Sequence, residues 1–152
     1  MRVQFRKATL DDLHFLVTLR TLTMDEHLQH AGLYYQAAEH KERVLDHFNE
    51  SLLIIFDTQL IGLLKLAQFA ERLHIRQLQI MPDFQRQGIG NLVLKIIQRK
   101  AINLNMPITL SVLHDNPALA LYQRSGFVIQ QKNTLEYQMT CSVQQCQANS
   151  LS

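Results

Sequence analysis

An α+β fold is predicted, with a mixed, mainly antiparallel sheet, a central parallel strand pair and about four flanking helices. Three features carry the prediction. Residues 52–80 hold three short strand patterns parted by turns, residues 89–104 carry apolar side chains at helical spacing, and residues 108–113 alternate again as a strand. Strands joined by short turns pair antiparallel, whereas a strand reached through a helix returns parallel by a right-handed crossover. With 152 residues, 47% of them hydrophobic, the chain suits one compact domain with a real core, placed at 1–140 and followed by a polar tail at 141–152.

Residues 3–8 read as the first strand. Thr9 then stands as N-cap with Asp12 three residues on, a capping-box-like start for a helix to about residue 22, whose inner face is marked by Leu13, Leu16, Val17 and Arg20. Residues 25–35 mix His27, His30, Gly32 and two tyrosines without a period, which predicts a loop. A second helix at 36–49 is expected to bury Ala37, Val44, Leu45 and Phe48.

The apolar run at 52–56 reads as a buried strand, paired with 60–69 across a turn at 57–59. In the third strand, 73–80, Leu73 and Ile75 share one phase and Leu78 and Ile80 the other, so a β-bulge is predicted near Arg76 or Gln77. Ile89, Leu92, Val93, Ile96, Ile97, Ala101 and Leu104 define one face of the long helix. After the strand at 108–113, Asn116 and Pro117 open a short helix at 118–124 that ends at Ser125 and Gly126. A closing hairpin follows at 127–131 and 134–140. The remaining tail has no hydrophobic period and is expected to be disordered or held by a neighbour.

Fifteen Lys and Arg against thirteen Asp and Glu, a net charge of +2, imply neither a nucleic-acid nor a membrane partner. The charged N-terminus is not a secretory signal and the apolar runs are too short for a bilayer, so a cytoplasmic location is expected. Two cysteines, Cys141 and Cys146, exclude a disulfide scaffold and lack zinc-site spacing. The pair His27 and His30 has no third ligand at a supporting spacing, so no metal is expected. No Gly-x-Ser-x-Gly occurs, which leaves hydrolase chemistry without a nucleophile elbow.

The chemistry-bearing stretch is Gln85-Arg86-Gln87-Gly88-Ile89-Gly90, between an apolar strand end and the long helix. The first turn of a helix has unpartnered N–H groups and a partial positive charge, and glycines let a phosphate approach those amides. Two common phosphate loops are excluded by spelling: no Lys-Ser or Lys-Thr follows a glycine, and Val93 stands where the third glycine of a dinucleotide fingerprint belongs.

This stretch resembles motif A of the GNAT superfamily of N-acetyltransferases, Gln or Arg, two residues, Gly, one residue, Gly or Ala, matched by Gln85, Gly88 and Gly90. Asn116 to Phe127, NPALALYQRSGF, resembles motif B of the same family. With the order of elements, the resemblance covers residues 3–139. It implies acetyl-CoA or a related acyl-CoA as co-substrate, its pyrophosphate on the amides of Gln85, Arg86, Gln87, Gly88, Ile89 and Gly90. Pantetheine and the thioester carbonyl would be held by the strand residues Leu78, Gln79 and Ile80, in a wedge where that strand diverges from 108–113. Arg86, Lys95 and Arg124 are candidates to meet phosphate charge. Asn116 would bond the CoA arm or merely cap its helix, and Tyr122 would stand beside the thioester sulfur as the catalytic residue.

An amine acceptor with pKa about 10.4 must lose a proton near neutral pH. Some family members carry a carboxylate on the strand before motif A. Here Arg76, Gln77, Leu78 and Gln79 provide none, which leaves a water chain, Glu26, His27, Tyr34 or His114. The resemblance thus implies an N-acetyltransferase acting by direct attack on a small-molecule amine. The alternatives are a peptide or protein acceptor and a non-catalytic acyl-CoA-binding regulatory domain. The acceptor would contact residues 24–35 and 134–139, and a homodimer through the closing strands stays open.

Overall fold

The computed structural model describes residues 2–150. Seven strands and five α-helices are found among them, with the strand order β1-β2-β3-β4-β5-β7-β6 and one parallel pair, β4 with β5. The strands are β1 Val3–Lys7, β2 Ser51–Phe56, β3 Gln59–Gln68, β4 Leu73–Ile80, β5 Ile108–Leu113, β6 Val128–Lys132 and β7 Glu136–Cys141. The helices are α1 Leu13–His30, α2 Ala37–Leu45, α3 Ile89–Leu104, α4 Ala118–Arg124 and α5 Val143–Ser150. The predicted mixed α+β class is therefore the observed one, with one helix more than expected. The chain groups into two compact units, residues up to Leu66 with Gln77–Gln87, and Ala67–Arg76 with the residues from Gly88 on.

In the first unit, β1 pairs antiparallel with β2, and β2 with β3 across a tight turn in which Asp57 and Thr58 both take positive φ, 46° and 75°. Such a turn matches the right-handed twist of the strands. Gly62 opposes Ile54 and Leu60 opposes Ile55, so Ile61 is an extra residue in β3. Its carbonyl accepts the Met81 N–H at 2.8 Å. In β4 the burial expected to pass to Leu78 and Ile80 stays in the phase of Leu73 and Ile75: Gln79 is buried, while Leu78 and Ile80 are half-buried.

The Thr9 start is as read, with Asp12 accepting the Thr9 N–H at 2.8 Å through Oδ2. Arg6 grips the same carboxylate at 3.1 and 3.0 Å, and this guanidinium holds the Asp12 carboxyl below its usual range. The expected helix end near residue 22 and the loop from 25 are corrected: α1 runs to His30 and stops at Gly32, whose φ of 82° makes it the left-handed C-terminal residue. The second helix is shorter than expected, because Asp46 leaves helical geometry and His47 is left-handed. It buries His40 and Val44, whereas Ala37 and Leu45 are exposed. The core of this unit gathers Ala8, Leu16, Leu19, Val44, Leu53 and Leu63.

Lys65 of β3 is buried among these, and its Nζ donates to the carbonyls of Arg43 (3.3 Å), Val44 (3.0 Å) and Asp46 (2.6 Å) at the end of α2. A cation there satisfies carbonyls that the helix leaves open and opposes the negative end of its dipole. Lys65→Met keeps the bulk and deletes the charge. Two of the three carbonyls lie where water can partly replace the lysine, so a loss of about 2 kcal/mol is expected in chemical denaturation, and an unchanged midpoint would remove this role.

In the second unit β4 and β5 pair in parallel at Leu73–Ile108, His74–Thr109 and Ile75–Leu110. Strand β5 pairs antiparallel with β7, and β7 with β6. The buried face of α3 is Ile89, Val93, Leu94, Ile97, Gln98 and Ala101; the expected members Ile96 and Leu104 are 44% and 38% exposed. Gln98 is tolerated inside because its amide is fully used: it donates to the Ser125 carbonyl at 2.7 Å and accepts from Asn149 at 2.5 Å. Asn149 belongs to α5, which packs on α3 and buries Cys146. Of the two expectations for the tail, disorder is corrected: it forms a helix held against α3. Ser142 and Gln145 start that helix with a reciprocal capping box, at 2.9 and 3.1 Å.

Candidate active site

The stretch 85–90 passes from one unit to the other at the Gln87–Gly88 peptide bond, and each half is built locally. In the first, Pro82 opens a 3-10 turn, Pro82–Phe84. Gln85 Nε2 donates to the Ile80 carbonyl at 2.9 Å and Gln87 Nε2 to the Asp83 carbonyl at 2.9 Å, tying the loop to its own base. Arg86 takes a positive φ of 62°, and 85, 86 and 87 are all exposed. Upstream in β4, the side-chain oxygens of Gln77 and Gln79 are buried without a hydrogen-bond partner among the described residues.

In the second half, Gly88 is the left-handed N-cap of α3, with φ 82°, and a Cβ there would meet nothing within 4 Å. The space outside the turn is open. The first helical bond runs from Leu92 N–H to the Gly88 carbonyl, 3.1 Å, so the amides of Ile89, Gly90 and Asn91 lie ahead of the helical ladder. They open a helix of sixteen residues, enough for a full dipole at that end. Ile89 is buried and anchors the turn.

Strand β5 ends in the segment that leads to α4. Asn116 accepts the Ala118 N–H at 2.9 Å through Oδ1, so it does cap that helix, and its side-chain amide donors remain for another partner. Tyr122 sits on α4, 6% exposed, edge-on to Phe127 with ring centroids 5.7 Å apart. Burial pushes its phenol up to about 12. Gly126, at φ 98°, turns the chain so that Phe127 can take that place.

The other expected candidates fall apart by environment. Glu26 is exposed and His27 half-buried, both on the last turns of α1 rather than in a loop, and Tyr34 is 72% exposed. Arg124 is exposed and Lys95 half-buried. His114 differs: its ring lies 4.4 Å from the Tyr137 ring, and its Nε2 is buried with no hydrogen-bond partner among the described residues. The sequence marks Gln77 only as a position lacking a carboxylate, and Gln79 also as a residue of the strand expected to hold pantetheine. Their buried, unpaired oxygens could be found only once the burial phase of β4 was known.

Solved structures share the fold. PaiA N-acetyltransferase from Thermoplasma acidophilum, in complex with coenzyme A, superposes with TM-score 0.74 at 19% identity over 93% of this chain and 99% of its own. Spermidine N-acetyltransferase from Vibrio cholerae, with CoA and spermine, gives 0.68 at 21% identity over 95% and 98%. Ard1 from Thermoplasma volcanium gives 0.67 at 17% over 92% and 97%. No curated protein matches the chain significantly. The family model described as an acetyltransferase (GNAT) domain matches residues 21–140, which hold the capped start of α3, Asn116 and Tyr122, and the chain belongs to that family.

Proposed function

We propose that the protein is an acetyl-CoA-dependent N-acetyltransferase that moves the acetyl group directly to an amine, with a small-molecule acceptor. The observation that carries the reading is the exposed turn at Gly88, with the free amides of Ile89 and Gly90 at the N-terminus of α3, a ready seat for a pyrophosphate. Gln85, Arg86 and Gln87 complete it, with the Arg86 guanidinium as countercharge. Leu78, Gln79 and Ile80 hold the pantetheine arm and thioester through their backbone groups. The unpaired oxygens of Gln77 and Gln79 are acceptors of the kind that amide N–H donors satisfy. Asn116 adds its side-chain donors.

In the reaction the amine nitrogen forms a bond to the thioester carbon, and the carbon–sulfur bond breaks. Tyr122 donates a hydrogen bond to the departing sulfur. The amine's proton goes to His114, the one base candidate with a buried ring nitrogen lacking a partner among the described residues. His114→Gln is expected to lower kcat/KM for the amine about a hundredfold without changing acyl-CoA affinity; an undiminished rate would return the task to water. Release of free CoA thiol, measured across amines and N-terminal peptides, tests the whole reading. Amine-dependent release supports it. Acyl-CoA binding without turnover supports a regulatory binding domain instead.

A further inference from the structure

We infer that Arg20, Arg43 and Tyr35 form a binding site for a carboxylate on the acceptor, so that the acceptor is an amino acid or another amine bearing a carboxylate. This rests on the acetyltransferase reading above and narrows its substrate. Arg20 lies on the inner side of α1 and is only 7% exposed, yet among the described residues it has neither an ion pair nor a side-chain hydrogen bond, and its Nε is buried without a partner. A guanidinium so placed is costly to hold in a folded chain unless an anion meets it. The sequence holds no acid three or four residues to either side of it, at 16, 17, 23 or 24.

The groups that act on Arg20 electrostatically are Tyr35 and a second cation, Arg43. Burial first, and the like charge of Arg43 after it, press the Arg20 pKa down against the pull of Tyr35. Arg43 lies over the Tyr35 ring, its Cζ 5.6 Å from the centroid, and donates to the Tyr35 hydroxyl at 3.2 Å. On the same two helices Asp25 bonds His40 at 2.8 Å and Glu39 accepts the Gln36 N–H at 3.3 Å. Two guanidinium groups and a hydroxyl that can still donate match the lone pairs of one carboxylate. The same pair of cations repels a polyamine. Of the three residues, Tyr35 lies within residues 24–35, where the acceptor was expected from the sequence.

The test uses acetyl-CoA with matched pairs, each an amino acid and the amine left by its decarboxylation: phenylalanine and phenethylamine, leucine and isopentylamine, lysine and cadaverine. The amino acid of at least one pair should be preferred by about tenfold or more in kcat/KM. Arg43→Gln, at an exposed position, should bring that ratio toward one by lowering kcat/KM for the amino acid more than for the amine. Arg20→Lys is the second variant and should weaken the acid by the same route. Equal rates within every pair, or a preference for the amine, would overturn the carboxylate site, as would a ratio that survives Arg43→Gln. A second arm needs no catalysis: calorimetric titration with N-acetyl amino acids and with the matching N-acetyl amines. Binding confined to the acids and lost in Arg43→Gln supports the site even where no amine is acetylated, an outcome that counts against the transferase reading alone. Acids that bind no better than the amines overturn it.

Discussion

Replacing Tyr122 by phenylalanine is expected to lower kcat by about 100- to 1,000-fold while KM for acyl-CoA moves less than about threefold. Losses of this size accompany removal of one donor that acts on charge developing in the transition state. The phenol is buried and raised to about 12 by burial alone, whereas a thiol has pKa about 8.5, so full transfer of its proton to the leaving sulfur is uphill by roughly 5 kcal/mol. Its part is to donate a hydrogen bond, which phenylalanine cannot do and which ground-state binding scarcely uses. The benzene ring still packs against Phe127, so folding should survive the change. Equal losses of kcat and acyl-CoA affinity would assign Tyr122 to binding, and an unchanged kcat would remove it from the chemistry.

The same shift fixes a pH dependence. The unfolded chain exposes a phenol that titrates near 10, and the folded chain holds it neutral to about 12. The folded state is thus favoured fully below pH 10, and that contribution disappears as pH rises through 12. Tyr122→Phe should flatten the alkaline limb of stability over that range. An alkaline fall in rate well below pH 12 belongs to another group.

Gly62→Ala is expected to destabilise the protein by about 3 kcal/mol, a fall in melting temperature of roughly 6 to 12 °C at this length. Alanine in a strand would ordinarily be neutral or helpful. Here its Cβ would stand 2.4 Å from the Gln79 carbonyl oxygen and 3.3 Å from Ile54 Cδ1. A backbone oxygen cannot swing aside as a side-chain end does, and the Met81 to Ile61 hydrogen bond keeps these segments together. Relief requires β4 to move at Gln79, within the residues proposed to hold the thioester, so KM for acyl-CoA should rise as well. A melting temperature within 2 °C of the parent with unchanged KM would show that the backbone yields without cost.

Much of this was readable from residues whose local chemistry admits one answer. Strand β5 and helix α4 lie at the expected bounds, since Pro107 and the pair Asn116-Pro117 start them and Gly126 ends the helix. The parallel pairing of β4 with β5 followed from the helix between them. What escaped depends on partners distant in sequence. Gln98 replaces an apolar residue on α3 because Ser125 and Asn149 satisfy it, which no period of hydrophobicity records. The tail helix has little apolar surface, but the Ser142 and Gln145 capping box was present in the sequence to be read. Gly32 likewise marked the true end of α1. The positions of Gly88, Asn116 and Tyr122 on their elements were legible from two motifs, whereas Arg20 became notable only when its burial without a carboxylate was seen.

The most direct measurement is to follow a labelled acetyl group. Acetyl-CoA carrying carbon-13 in its acetyl carbonyl is mixed with the protein and an amine acceptor, and the products are resolved by mass spectrometry and NMR. One labelled amide on the acceptor nitrogen is expected for each CoA thiol released, with no label on the protein itself. Thiol release without a labelled amide, or label resident on the protein, would contradict direct transfer to an amine.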